Sequence, residues 1–448
     1  MAKYAGQFEF VSPGKGGEHA GACEFSFDER TATLVPAQGP PLAFDLGDID
    51  TFEAGDWDVR LTLYTGQTLT LRRFGKALRD LARELLDAHR GRLVQCLLVS
   101  DLDEVARFNG RVQLQSPDRA CEGPAEIRLY ESNLAVLPDA ALGFQWRLAD
   151  IAAVEFDEVN YAVVFSSGGE RLTVGQLAKR TGELGERARS RITALNERTA
   201  RTLHALFPFL DPSQFRLAAS LLRDGACAST AKLCAVHASI ESVLIDKVVD
   251  GELKPYVQAL AERTSGQEWY AGLKVIRRDR AESGGATEPP VADEAAEPAA
   301  LAAEEVPPAE APASEQPRDP AIFEAGDGLE VLYWFFYPLA AGKGGATHVA
   351  WEATSREGRA TYLFRLNPAE PCERAIASIN RGLVALNFRR EPVYLDARTL
   401  ESELRYRHYA IAQRKVPDMR RVRQAFAGRA IHRTSASWAK QIDAVLSR

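Results

Sequence analysis

The chain has 448 residues, of which 46% are hydrophobic and 26% charged, and its formal net charge is −7. A single hydrophobic core stops growing at about 250–300 residues, so the length predicts several domains. No run approaches the roughly 18 apolar residues of a membrane-spanning helix, and no apolar signal core opens the sequence, so a cytoplasmic protein is expected. The six scattered cysteines exclude a disulfide scaffold and favour a reducing compartment.

The first hundred residues carry strand patterns followed by one helix pattern. Val59, Leu61 and Leu63 alternate with polar residues, which is typical of a strand with one buried face. Beyond a glycine turn and a second such strand, leucines recur at helical spacing over 78–86. Upstream, 1–54 contains further short alternating segments. The sequence therefore predicts six or seven antiparallel strands closed by a C-terminal helix.

A second copy of this arrangement follows about a hundred residues later. Leu46, Asp48 and Ile49 recur at an offset of 102, and residues from Gly66 to Leu81 recur at an offset of 103. The change of offset is placed at the turn Thr65-Gly66, which corresponds to 167–169. Identical residues are few, but the alternating pattern recurs as well, which indicates an internal duplication.

Each copy resembles a pleckstrin-homology-like (PH-like) domain, a bent antiparallel barrel capped by a C-terminal helix. The resemblance covers residues 1–200 and rests on the order of the elements. It implies binding modules rather than enzymes. Lipid-binding members of that fold carry several Lys or Arg residues in the first hairpin loop, whereas the matching loops here contain only Lys15 and Arg119.

The remainder divides into three predicted parts, which make the chain an α+β multidomain protein. Residues 201–281 show helical spacing and are predicted to form a small helical unit. Residues 282–328 form an acidic linker rich in Pro and Ala, and such a composition predicts disorder. Residues 329–448 begin with aromatic strands, continue with helices and are predicted to form an α+β module. The predicted modules of the duplicated part are 1–100 and 101–200.

The charge is distributed unevenly among these parts. Residues 282–320 carry ten acidic residues and one basic residue, whereas 329–448 carries 20 Lys or Arg against 11 Asp or Glu. Arginine suits bidentate contact with phosphate or carboxylate. The basic residues predicted to contact a polyanion or another partner are Arg389, Arg390, Arg405, Arg407, Arg414, Lys415, Arg420, Arg421 and Arg423. An ordinary solvated surface is the alternative.

Motifs for catalysis, metal binding or cofactor binding are missing from the sequence. The glycine-rich turns at 14–17 and 342–345 lack the spacing and the hydroxyl residue of a phosphate-binding loop. Cys227, Cys234 and His237 could approach one another on a helix, but they lack the paired-cysteine spacing of a zinc site. We therefore expect no catalytic residues, metal or cofactor.

These observations predict a non-catalytic interaction or adaptor protein whose tandem modules bind a protein partner. Two alternatives remain open, namely binding of nucleic acid or another polyanion through 389–433, and peripheral association with an anionic membrane. A sequestered polar cleft with converging titratable groups would count against the non-catalytic interpretation.

Overall fold

The computed structural model describes residues 3–14, 18–117, 119–264, 267–277, 320–326, 328–340, 345–354 and 359–448. Lys15, the turns at 342–344 and 356–358, and most of the predicted linker 282–328 lie outside these residues. The chain divides into two compact units. Unit 1 comprises 1–195 and 395–420, and unit 2 comprises 196–394 and 421–448.

The first half of unit 1 is a seven-stranded antiparallel sheet followed by a helix, α1 (Leu78–Cys96). The spatial order is β4-β3-β2-β1-β7-β6-β5, so the first and last strands of the module are neighbours. Alternate residues face a core that includes Phe25, Leu61 and Leu81. The strands are β1 (Lys3–Val11), β2 (Glu18–Phe27), β3 (Thr31–Pro36), β4 (Leu42–Asp45), β5 (Ile49–Ala54), β6 (Asp58–Leu63) and β7 (Thr68–Arg72).

The second half repeats this topology. Its order is β11-β10-β9-β8-β14-β13-β12, and the helix that follows is α2 (Thr181–Leu206). The strands are β8 (Glu104–Gln115), β9 (Ala120–Tyr130), β10 (Asn133–Pro138), β11 (Phe144–Arg147), β12 (Ala153–Asp157), β13 (Ala162–Ser167) and β14 (Glu170–Gly175). Two antiparallel sheets of the same order, each followed by a helix, match the predicted pair of barrel-like modules.

Details of the backbone also recur in the second copy. The residue after the last strand has a left-handed φ in both copies, 59° at Arg73 and 58° at Gln176. A Cβ atom on Gly6 would lie 2.6 Å from the Phe74 ring, and one on Gly110 would lie 2.6 Å from Leu177. In each module the side chain that follows the left-handed residue, Phe74 or Leu177, lies against the first strand. Only a glycine in that strand leaves room for it.

The strand pairing corrects the position of the offset change. Phe52 pairs with Leu61 in the first copy, and Val154 pairs with Phe165 in the second, so the β12–β13 turn contains two additional residues. The following turn, at Thr65-Gly66, is then one residue longer than its counterpart. The two copies thus differ in length at two neighbouring turns, whereas the sequence suggested one shift at a single turn. A comparison of identical residues shows only the net difference between an insertion and a nearby deletion.

Unit 2 is built on a third antiparallel sheet of seven strands. Its order is β15-β16-β18-β19-β20-β21, with β17 paired to β18. One face packs Tyr333, Phe335 and Tyr337 against helices, and Trp334 on the other face contacts Phe388, which follows the helix Cys372–Ala385. The strands are β15 (Cys227–Ser229), β16 (Tyr270–Arg277), β17 (Glu324–Gly326), β18 (Leu329–Leu339), β19 (His348–Ala353), β20 (Ala360–Arg365) and β21 (Phe426–Ile431).

Two sequence segments expected to be separate contribute to this sheet. The predicted helical unit 201–281 supplies β15 and β16, and β16 pairs along its length with β18. The described end of the predicted linker, 320–326, forms a helical turn and β17, and Ile322 is buried. Ile322 and Phe323 are large apolar residues in an otherwise Ala- and Pro-rich stretch, and their burial explains why this end is folded.

The helices after α2 are short. They are α3 (Pro212–Leu221), α4 (Thr230–Val236), α5 (Ile240–Val243), α6 (Lys254–Arg263), α7 (Pro320–Phe323), α8 (Cys372–Ala385), α9 (Glu391–Tyr394), α10 (Ala397–Ser402), α11 (Arg407–Lys415), α12 (Pro417–Ala425) and α13 (Ser435–Leu446). Within the predicted module 329–448, residues 395–420 belong to unit 1 and the flanking residues belong to unit 2.

A buried histidine connects α1 with the 3₁₀ turn that precedes β5 and makes stability dependent on pH. His89 is 3% exposed, and its Nδ1–H donates to the Leu46 carbonyl oxygen at 2.8 Å. The pKa of His89 is lowered to about 3, chiefly by burial and also by the charges of Lys415 and Arg90, while the Leu46 hydrogen bond acts in the opposite direction.

Because the pKa of His89 is depressed in the folded state, the protein is more stable above pH 6.5. This stability is lost as the pH falls below 6.5 and the histidine of the unfolded chain takes up a proton. We expect the free energy of unfolding to fall by about 1.5–2 kcal/mol more between pH 6.5 and pH 5 in the parent protein than in His89→Gln. Urea unfolding at several pH values measures this difference. Parallel pH profiles for the two proteins would contradict it.

Candidate functional site

The nine basic residues predicted to contact a partner do not share one unit. Arg405, Arg407, Arg414, Lys415 and Arg420 lie in unit 1, whereas Arg389, Arg390, Arg421 and Arg423 lie in unit 2. Ion pairs with carboxylates of their own unit are formed by Arg405, Arg407, Arg414, Lys415 and Arg421.

In unit 1 the basic face of α11 packs on the first barrel module. Arg407 and Arg414 both donate to the buried carboxylate of Asp48, and both also pair with Glu401. The Arg414 guanidinium lies over the Tyr64 ring, 3.9 Å from its centroid. Burial raises the pKa of the Asp48 carboxyl, and the two guanidiniums act in the opposite direction. These two arginines therefore pack residues 395–420 against Asp48, which lies almost 360 residues away in the sequence.

Lys415 and Arg420 are also engaged inside unit 1. The Lys415 ammonium donates to Asp50 at 2.8 Å and to the Ile49 carbonyl oxygen at 3.0 Å, and its side chain is 3% exposed. Arg420 donates to the carbonyl oxygen of Gln413 at 3.2 Å. Arg405 pairs with Glu403 at 2.9 Å, and its side chain is 60% exposed.

The four basic residues in unit 2 have partners as well. Arg421 pairs with Glu370, and Arg423 donates to the Pro392 carbonyl oxygen. Arg390 lies between two rings, 5.7 Å from the centroids of both Trp351 and Tyr362. Arg389 is half-buried. These residues of unit 2 are therefore engaged with groups of their own unit.

The sequence reasoning did not single out the most exposed apolar side chains of unit 1. Trp57 is 84% exposed at the turn between β5 and β6, where the Gly55 N–H donates to the Asp58 carbonyl oxygen at 2.8 Å. All six tryptophans lie in the described part of the chain, and the other five are less than a tenth exposed. We call residues 53–59, EAGDWDV, the first tip; they carry three acidic residues and no basic one.

The corresponding turn of the second module presents the same kind of surface. Val159 is 92% exposed and Tyr161 54% exposed. The Asp157 carboxylate accepts the N–H groups of Val159 and Asn160 at 3.0 Å, and these hydrogen bonds, the side-chain amide of Asn160 first, lower the pKa of Asp157. The second tip, residues 155–161 or EFDEVNY, also carries three acidic residues and no basic one.

In the second module, the basic residue of the first hairpin loop contacts groups of its own barrel. Within the described part of the second module's loop, Arg119 pairs with Glu170 at 3.5 Å, and its guanidinium lies 4.4 Å from the centroid of the Phe144 ring. The single basic residue of that loop is therefore held by its own barrel.

Unit 2 contains a polar pocket of about 190 Å³. At its floor the Thr361 hydroxyl donates to Glu352 Oε2 at 2.7 Å and lies 3.0 Å from His432 Nε2. Trp438 Nε1 donates to the same hydroxyl at 2.8 Å, and the His432 ring stacks on Tyr256 at 4.0 Å. The lining residues are Asp250, Glu252, Leu253, Tyr256, Glu352, Ala353, Arg359, His432 and Arg433.

This pocket is a partly open polar cleft in which titratable groups of unit 2 converge. Sequence reasoning missed it because Glu352, Thr361 and His432 come from β19, β20 and the residue after β21. No spacing motif connects them, and only the pairing of those strands brings them together.

Two further observations concern the predictions about metal binding and membrane association. Cys234 Sγ lies 3.6 Å from Glu241 Oε2. Within the described ranges, no three His, Cys, Asp or Glu residues are arranged to hold a metal ion. The described helices include none that combines the length and the apolar character needed to span a bilayer.

Comparison with known protein families and with curated proteins finds no match to this chain.

Proposed function

We propose that the two barrel modules of unit 1 are PH-like domains that form a non-catalytic module for binding a protein partner, and that the contact is made by the two tips. The observation that carries this proposal is the repetition of an exposed apolar side chain at the equivalent hairpin turn of both modules. Isolated exposed apolar residues are ordinary, but large ones in equivalent positions of a duplicated fold favour a shared role.

The order of the second tip supports binding rather than chance exposure. Three hydrogen bonds to Asp157 fix the turn, and Tyr161 packs edge-on against Phe156 with ring centroids 5.5 Å apart. An apolar side chain held in one conformation loses less entropy when it enters a partner's pocket. Aromatic anchors such as Trp57 are also the side chains that contribute most at protein interfaces.

The charge around the tips indicates the chemistry of the partner. Three acidic residues beside each apolar group repel phosphate, so nucleic acid and anionic lipid are disfavoured at this surface. The complementary surface is an apolar patch flanked by Lys or Arg. The six cysteines, which form no disulfide in the described part of the chain and three of which are buried, support a role in a reducing compartment such as the cytoplasm.

The test measures binding of the full chain to a synthetic amphipathic peptide of leucine and lysine. We expect saturable binding that weakens with added salt, and a loss of affinity of about tenfold or more for Trp57→Ala and for Val159→Asp, because each removes an apolar anchor. Fluorescence anisotropy of the labelled peptide provides the affinity.

Val35→Asp is the matched control for Val159→Asp, since Val35 is an exposed valine (45%) outside the tips. It should bind the peptide as the parent does. Equal affinity of the parent and a Trp57→Ala, Val159→Asp double variant would contradict the proposal. So would binding of a leucine–glutamate peptide or of anionic vesicles with the same dependence on Trp57.

A further inference from the structure

The hydrogen bonds at the floor of the unit 2 pocket assign the proton on His432. The Trp438 N–H donates to Thr361 Oγ1, and the single hydroxyl hydrogen of Thr361 is directed to the Glu352 carboxylate. Oγ1 can then only accept from His432, so Nε2 carries the hydrogen. Nε2–H also lies 3.3 Å from Glu352 Oε2, which stabilises the same tautomer.

This arrangement leaves two acceptor atoms facing the pocket. Glu352 uses Oε2 for both Thr361 and His432, and Oε1 has no donor among the described residues. In the neutral ring, His432 Nδ1 is likewise an acceptor without a donor there, and neither atom is sealed from the pocket. Both side chains are only 3% exposed. Acceptors that face the pocket and have no donor within the described residues can take their hydrogen bonds from a bound molecule.

The rim of the pocket offers the opposite charge. Arg359 is paired with Glu252, whereas the exposed Arg433 side chain forms no ion pair within the described residues. The pocket therefore has acceptors and a carboxylate at its floor, the Tyr256 ring beside them, and an available guanidinium at its mouth. A volume of about 190 Å³ is below the range of roughly 300–1,000 Å³ that holds nucleotides or drug-sized molecules.

We propose that this pocket binds a small zwitterion of the amino-acid class. The ligand's ammonium donates to Glu352 Oε1 and His432 Nδ1, and its carboxylate pairs with Arg433. An ammonium supplies three donors, and a guanidinium binds a carboxylate in the bidentate geometry. The site is independent of the tips of unit 1 and adds a ligand-binding function to unit 2.

The test uses the full chain and the twenty proteinogenic L-amino acids as probes, first by thermal shift and then by calorimetry. We expect at least one of them to stabilise the protein saturably. Its N-acetyl derivative lacks the ammonium and its amide lacks the carboxylate, so both should bind about tenfold more weakly or not at all.

Two variants locate the site. Glu352→Gln keeps the size of the side chain and removes the charge, and Arg433→Ala alters only the exposed rim; we expect each to weaken binding about tenfold or more. Arg374→Ala, at a side chain that is 81% exposed elsewhere in unit 2, should bind as the parent does. Should Glu352→Gln fail to fold, Arg433→Ala decides the outcome.

Three results would overturn the proposal. One is that none of the twenty amino acids stabilises the protein at millimolar concentration. Another is that the N-acetyl or amide derivative binds as tightly as the free amino acid. The third is that binding persists unchanged in Arg433→Ala.

Discussion

Replacing Asp45 by alanine should lower the free energy of unfolding by about 4 kcal/mol, because it leaves the buried Arg92 guanidinium without its counter-ion. Arg92 donates from Nε and Nη2 to the two carboxylate oxygens at 2.8 and 2.7 Å, and its side chain is 3% exposed. Burial alone would lower the pKa of Arg92, but the hydrogen bonds to Asp45 raise it overall. Asp45 also accepts the Gly47 N–H at 2.8 Å, so the turn loses its cap as well.

A pair in the second module, which is not the duplicated counterpart of this one, provides a control for this prediction. In the second module Arg147 forms the same bidentate contact with Asp150, at 2.7 Å for both bonds, but that carboxylate is 31% exposed. Asp150→Ala should therefore cost about 1 kcal/mol or less. Urea or thermal unfolding compares the two variants. Equal losses would show that burial does not determine the importance of these pairs.

Gly272→Ala should destabilise unit 2 by about 3 kcal/mol, because the sheet has no room for a methyl group at this position. Gly272 of β16 pairs with Trp334 of β18, and a Cβ atom at residue 272 would lie 2.4 Å from the indole ring. Trp334 is fully buried, and the centroids of its ring and the Phe388 ring are 4.6 Å apart. The indole therefore cannot move aside without disturbing its neighbours.

The control for this substitution is Gly251→Ala. A Cβ atom on Gly251 would meet nothing within 4 Å, and alanine there should change stability by less than about 1 kcal/mol. Thermal unfolding of both variants measures the difference. A Gly272→Ala protein as stable as Gly251→Ala would show that β16 does not pack against β18 as described.

The barrel modules could be predicted because their information is local. Alternation in β6 and the helical spacing of the α1 leucines are determined by burial of one face, and the duplication repeats both. Even there, the two turns that changed length could be located only from strand pairing. The position of residues 395–420 was not predictable, because Asp48 and Arg414 give no sign in sequence that they are partners.

The candidate sites show the same limit. Trp57 lies between two aspartates and two residues after a glycine. This composition is typical of a turn, so the aromatic side chain could have been recognised as exposed. The pocket of unit 2 had no such signal. Glu352 and His432 each read as an isolated polar residue, and they meet only because β19, β20 and β21 are adjacent in the sheet.

The most direct test of the proposed interaction surface is the accessibility of Trp57 when the leucine–lysine peptide is bound. Because the other five tryptophans are buried, acrylamide quenching of the full chain reports mainly on this side chain. We predict that the peptide shifts the emission to shorter wavelength and protects it from quenching, and that Trp57→Phe removes both effects. Unchanged quenching while anisotropy shows the peptide to be bound would contradict binding through the tips.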